Sequence, residues 1–155
     1  MRARSLFRRE DGAQALVEFA LVLPLFLLIV TGILDAARAV WQSNTLAYAA
    51  REGTRYAIVH GSGGDPQVGP CSMCVNPTAS DNNLDQVVNV VRNAAIGVPN
   101  ITVTVDYPSV PSSNHRLDPV SVEATAPFVP LPSQYMLGGA FQITLRGGSQ
   151  LVIQR

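Results

Sequence analysis

The sequence predicts an α+β protein: a long N-terminal transmembrane helix that continues into a domain with a second helix and a roughly three-stranded antiparallel sheet. Three observations carry the prediction. A 22-residue apolar run with a basic flank opens the chain, an apolar 3.6-residue repeat begins at Leu84, and alternating apolar residues recur in three later segments. The 155 residues are 47% hydrophobic and only 14% charged, with a formal net charge of +0. A balanced chain gives no electrostatic case for nucleic acid as a partner. Every basic side chain is arginine.

The first element is the membrane span. Ala13 to Leu34 reads AQALVEFALVLPLFLLIVTGIL, whose one charge is Glu18. About 20 apolar helical residues cross the ~30 Å hydrocarbon core. Pro24 removes one backbone hydrogen bond and predicts a kink, which lipid-embedded helices tolerate. Arg2, Arg4, Arg8 and Arg9 precede the run, while Asp35 and Arg38 follow it. The positive-inside rule then leaves the N-terminus in the cytoplasm and the rest outside. A buried core helix is disfavoured by the length of the run and by its basic flank. A cleaved secretory signal competes through Ala37-Arg38-Ala39, but the run is longer than an ordinary signal core and contains an acid. Glu18 is the informative residue, because an intramembrane carboxylate costs at least ~2.5 kcal/mol and normally has a partner. Snorkelling to the cytoplasmic interface is the plain alternative.

The motif around Glu18 resembles a known family. Gly12-Ala13-Gln14-Ala15-Leu16-Val17-Glu18-Phe19-Ala20-Leu21-Val22-Leu23-Pro24 is similar to the opening of the TadE/TadG-like family, pseudopilin-type proteins of the Flp (Tad) branch of the type IV pilus machinery. Gly32-Ile33-Leu34-Asp35 and Ala49-Ala50-Arg51-Glu52-Gly53-Thr54-Arg55 also resemble family members. The resemblance is strong from Gly12 to about Ala57 and weak from His60 to Ser80. It is moderate in the last third, at Pro127-Phe128-Val129-Pro130-Leu131 and Ser149-Gln150-Leu151.

The resemblance implies a pilin-like domain and no enzymatic activity. It also implies cleavage by a prepilin peptidase on the cytoplasmic side of the helix, with a glutamate fifth in the mature chain. Glu18 of an incoming subunit would neutralise a neighbour's new N-terminal ammonium, removing two unpaired charges from low dielectric together. Phe19 belongs to the same assembly segment. Cutting after Gly12 makes Glu18 the sixth residue; cutting after Ala13 makes it the fifth, with Gln14 first. The spacing favours Ala13/Gln14. Implied partners are the bacterial inner membrane, other pilins or pseudopilins, Tad assembly-platform proteins and the prepilin peptidase.

Five regions follow: a cytoplasmic leader at 1–13, the transmembrane helix at 14–34, a helical continuation at 35–60, a Gly/Pro-rich loop at 61–80 and an extracytoplasmic α+β domain at 81–155. Over 36–60 small residues recur at heptad spacing, namely Ala36, Ala39, Ser43, Ala50, Gly53 and Ala57, with Leu46 the large exception. Such a seam suits close approach of another helix or of the chain's own domain. Gly61-Ser62-Gly63-Gly64-Asp65-Pro66 stops the helix.

The loop holds the only two cysteines, Cys71 and Cys74. A local disulfide is the leading expectation, followed by free thiols and then by a redox pair, which needs a helix start at the first cysteine. Leu84, Val87, Val88, Val91 and Ala95 give the second helix, with Asp81, Asn82 or Asn83 as its cap and Gly97-Val98-Pro99 as its end. Ile101, Val103, Val105 and Tyr107 mark one strand, and Val120, Val122, Ala124 and Ala126 a second. Phe141, Ile143 and Leu145 open a third, with Leu151 and Ile153 keeping parity across an expected bulge at Gly147-Gly148. Pro127–Gly139 is read as a surface connection.

His60 and His115 are far apart in sequence and accompany no nucleophile motif, and Asp106, Asp118 and Glu123 read as strand-edge or solvent-facing. No metal, cofactor or catalytic residue is nominated. A minor pilin or pseudopilin is therefore the leading expectation. A membrane-tethered extracytoplasmic binding module outside any fibre comes second, and a thiol oxidoreductase third.

Overall fold

The computed structural model describes residues 4–109, 111–130, 135 and 142–154, with side chains from residue 12 onward. Helix α1 covers Arg4–Val59 and runs unbroken through Pro24. Strand β1 (Cys74–Val75), helix α2 (Asp85–Ala94) and strands β2 (Thr102–Asp106), β3 (Pro119–Phe128) and β4 (Ile143–Val152) follow. Two compact units result: the first takes α1 up to Ala37, and the second comprises Arg38–Val129 and Gln142–Arg155. The first unit is dominated by outward-facing apolar side chains, from Leu16 to Leu34.

In the second unit, the sheet is antiparallel throughout, in the order β1-β2-β3-β4. Alternation decides its faces. Val103 and Val105 of β2 and Val120, Val122, Ala124, Ala126 and Phe128 of β3 are buried, while Thr102, Thr104, Ser121, Glu123 and Thr125 between them are half-buried. The helices cover the apolar face. Gln42, Leu46, Ala49, Ala50, Gly53, Thr54 and Ala57 form the buried stripe of α1, and Val87, Val88 and Val91 that of α2. Both stripes have the 3–4-residue spacing of a helix face.

Four strands form the sheet where three were expected. The additional β1 is two residues long, too short for any alternation to be visible. It is held by Asn76 on both sides: Asn76 N donates to Val103 O at 2.7 Å, and Val103 N donates to Asn76 Oδ1 at 2.9 Å.

The expected cap of α2 is also corrected. Leu84 occupies the N-cap position with no side-chain cap bond. Asp81 instead accepts from Thr78 N at 2.8 Å and from the Thr78 hydroxyl at 3.0 Å. Asn82 and Asn83 adopt left-handed backbone, φ 56 and 58, which asparagine tolerates, and their amides donate to Pro70 O and Gln67 O. These three polar side chains tie the preceding loop to α2. Asp85 in the first turn and Arg92 in the last complement the helix dipole instead.

Gly147-Gly148 is not a bulge. Pairing runs without interruption through Ala124↔Gly147 and Glu123↔Gly148. The glycine at 147 serves a close helix-on-strand approach: an added Cβ would lie 2.5 Å from Leu46 C and 2.7 Å from Ala47 Cα. The expected loop also starts later than Pro127, because β3 extends to Phe128. Pro127 pairs with Thr144 of β4, while the β2 ladder has already ended at Thr125, so its missing N–H costs no ladder bond on that side. Residues 131–134 and 136–139 of that connection, Phe141 and Arg2 lie outside the described residues.

Candidate functional site

The candidate site is the lower part of α1. Ala13, Gln14, Val17, Glu18 and Leu21 line one open recess, the i, i+1, i+4, i+5, i+8 set of a single helix face. Gln14 and Glu18 are four residues apart, so about 6 Å of axial rise separates them. Leu16, Val17, Phe19, Leu21 and Phe26 are all more than half exposed. The helix from Gly12 contains an apolar window of mean hydropathy 2.5 that is 0% buried and is long enough to cross a membrane. Inside a bilayer, a carboxylate on this helix would have to reach the interface or find a cation.

The heptad seam divides. Ala50, Gly53 and Ala57 are buried within the chain's own domain, where a Cβ at Gly53 would come within 3.3 Å of Val122 Cγ1 and 3.5 Å of Val87 Cγ1. Ala39 and Ser43 are half-buried and Ala36 is exposed. Leu46, the large member, is fully buried. The Thr54 hydroxyl donates to Ala50 O at 2.8 Å and lies 3.3 Å from Ser149 O of β4, binding helix to sheet edge.

The sulfurs of Cys71 and Cys74 are joined in a disulfide, with the Cα atoms 6.0 Å apart. Cys74 opens β1 and Cys71 lies in the coil before it, so neither occupies a helix N-terminus that would stabilise a thiolate. The loop is pinned independently: Tyr107 N donates to Cys71 O at 2.9 Å, and Met73 N to Asp106 Oδ1 at 2.9 Å.

The remaining polar residues do structural work. His60 Nδ1 lies 2.8 Å from Tyr56 O, and its ring stacks on Tyr56 with centroids 4.0 Å apart. Asp118 accepts from the Ser113 hydroxyl and from His115 N, closing a turn. Glu123 pairs with Arg146 of β4 at 2.7 Å on the outer face of the sheet. Among the described residues no cluster of three histidine, cysteine, aspartate or glutamate side chains could hold a metal.

One structural centre has no signature in the sequence. Asn114, buried, donates to Val68 O at 3.1 Å and Gly69 O at 3.0 Å. The Tyr107 hydroxyl donates to the same Val68 carbonyl at 3.3 Å. Gly69, at φ +76, packs where a Cβ would collide with the Tyr107 ring. Burial pushes the Tyr107 hydroxyl up from 10.0 to about 12. The hydrogen bonds from the Thr78 backbone and side chain hold Asp81 below the ordinary carboxylate range. Asn114 lies in a Ser/Asn/Pro stretch whose partners are some 45 residues away, beyond any local pattern.

No curated protein and no solved structure matches the chain. Residues 13–55, which run from the small residue before Gln14 through Glu18 to the part of α1 packed on the sheet, match the family model described as TadE-like protein, so the N-terminal helix of this chain is TadE-like.

Proposed function

We propose that this chain is a minor pilin or pseudopilin that takes part in assembling an Flp (Tad)-type pilus, with a structural and not a catalytic role. The observation that carries the reading is the TadE-like match over residues 13–55, which includes Glu18. The placement of α1 supports it: the upper stripe is committed to the chain's own sheet, and the apolar lower part presents its side chains outward. A prepilin peptidase removes the leader after Ala13, leaving Gln14 as the mature N-terminus. A neighbouring helix displaced by four residues, about 6 Å, then brings its Glu18 level with that ammonium. Pairing relieves the cost of both charges in lipid and fixes the axial step between subunits. The protein is held in the bacterial inner membrane with its N-terminus cytoplasmic, and its partners are other pilins or pseudopilins and the Tad assembly platform.

N-terminal sequencing of mature protein, combined with Glu18→Ala, tests the reading. The mature chain should begin at Gln14. Glu18→Ala should insert into the membrane at least as well as wild type, since it removes a cost of ~2.5 kcal/mol or more, yet fail to support pilus assembly. An uncleaved chain with normal partner binding in Glu18→Ala would mean a tethered binding module. A start at Val40 would mean a secreted protein, with the Glu18 segment discarded.

A further inference from the structure

Four asparagines of this chain have left-handed backbone: Asn76, Asn82, Asn83 and Asn100. Asparagine is one of the few residues that tolerate that conformation, so each has a backbone reason for its place. Three of them also use their side chains. Asn76 Oδ1 accepts from Val103 N at 2.9 Å, and the amides of Asn82 and Asn83 donate to Pro70 O and Gln67 O. The carboxamide of Asn100, φ 53, has no hydrogen-bond partner among the described residues. Asn100 is exposed, in the turn between α2 and β2. Val98 on one side of it is buried, Ile101 on the other packs against the core, and Thr102 opens β2 on the outer, half-buried face of the sheet. The backbone is thus held on both sides of an uncommitted, outward amide.

Asn100-Ile101-Thr102 is an Asn-x-Thr triplet, the acceptor pattern for N-linked sugar in chains exposed outside the cytoplasm. One other Asn-x-Thr triplet occurs, Asn76-Pro77-Thr78, and two features exclude it. Proline in the middle position bars transfer, and Asn76 is committed to Val103 of β2. Pattern, exposure and a free amide coincide at position 100 alone.

We propose that Asn100 is the attachment site of an N-linked glycan. The donor class is a polyprenyl-diphosphate-linked sugar, the form of donor available on the outer side of a membrane. Asn100 Nδ2 forms the bond to the anomeric carbon, and the bond from that carbon to the diphosphate oxygen breaks. Polyprenyl diphosphate leaves, and one amide proton passes to a base of the transferase. Thr102 supplies the hydroxyl by which the triplet is recognised. The proposal rests on the reading that this domain lies outside the cytoplasm.

Intact-mass analysis and glycopeptide sequencing of the full chain, purified from the membranes of its own bacterium, test the proposal. Sugar should be found on the peptide carrying Asn100 and be absent from Asn76. Thr102→Ser should keep it and Thr102→Val should lose it, although Asn100 itself is untouched in both. Asn100→Asp should also lose it, and because aspartate tolerates the same backbone that variant should stay folded. An unmodified Asn100 in a chain whose reporter, fused after Arg155, is active outside the cytoplasm overturns the site and leaves the anchored reading standing. Sugar retained in Thr102→Val, or carried only on serine or threonine side chains, also overturns it. An inactive reporter overturns the outward placement of the domain, and the glycan with it.

Discussion

Gly147→Ala isolates the contact that joins α1 to the sheet. The added methyl would lie 2.5 Å from Leu46 C and 2.7 Å from Ala47 Cα, against an ordinary carbon–carbon separation of about 3.5–4.0 Å. The obstructing atoms are helix backbone, which cannot rotate away, so the helix must rise by about 1 Å. That displacement loosens Leu46, Ala49 and Ala50 and stretches the Thr54 contact to Ser149. Overpacking of this kind costs about 1–3 kcal/mol, and a backbone clash belongs in the upper half of that range. For a domain of roughly 100 residues, 2–3 kcal/mol lowers Tm by about 10–20 °C. Gly148→Ala is the internal control: its Cβ would have only Val122 O nearby, at 4.0 Å. Neither glycine has positive φ, so backbone strain does not confuse the comparison. Replacing a strand glycine in open space should be neutral, or stabilising by up to about 1 kcal/mol. Thermal unfolding of the full chain in detergent, followed by Trp41 emission, reads both variants. Equal Tm values for the two would refute the close approach of α1 to β4.

Three further outcomes are expected. A periplasm-active reporter fused after Arg155 should be active, and one fused at Asp11 inactive; the reverse would defeat the proposed orientation. Non-reducing mass analysis should find Cys71 and Cys74 linked, and replacing both with serine should cost at most about 2 kcal/mol, because only a four-residue loop is closed. Assembly should survive that replacement, and its loss from a stable protein would favour a redox or partner-linking role. Tyr107 is held neutral in the fold, so its contribution is complete below pH 10 and is lost as pH rises toward about 12. That loss amounts to roughly 2–3 kcal/mol. Urea unfolding from pH 9 to 12 should show it in wild type and a shallower decline in Tyr107→Phe, and parallel profiles would count against it.

What the sequence disclosed depended on whether a signal was local. The α2 stripe and the alternation in β2 and β3 are periodic and were legible with nearly their observed bounds, whereas the apolar run announced a helix that in fact begins earlier, at Arg4. The TadE-like resemblance from Gly12 to about Ala57 agrees with the matched span 13–55. The misread features depend on partners that composition does not reveal, most of them distant. Asp81, Asn82 and Asn83 have the composition of a helix cap, but they are engaged by Thr78, Pro70 and Gln67. Gly147-Gly148 has the composition of a bulge, and only the position of Leu46 and Ala47, a hundred residues earlier, shows why a glycine is needed at 147. The Asn114–Val68–Tyr107 centre joins three segments with no common motif.

In the proposed assembly, the division of α1 limits how subunits can meet. Ala50, Gly53 and Ala57 are the residues that allow close backbone approach, and the domain's own α2 and sheet already occupy that face. A neighbouring subunit touching the upper helix must therefore use the opposite face, where Tyr48, Arg51, Arg55 and Val59 are exposed. Bulky and charged side chains keep backbones apart there, so contact at that level is looser and more easily hydrated. The proposal leaves tight helix packing between subunits to the apolar part below Ala36, the same stretch that carries Glu18. In the proposed assembly, cohesion and register then both come from the membrane-derived segment. The sheet domain is left free to vary its outer face, around Glu123 and Arg146, without disturbing the step between subunits.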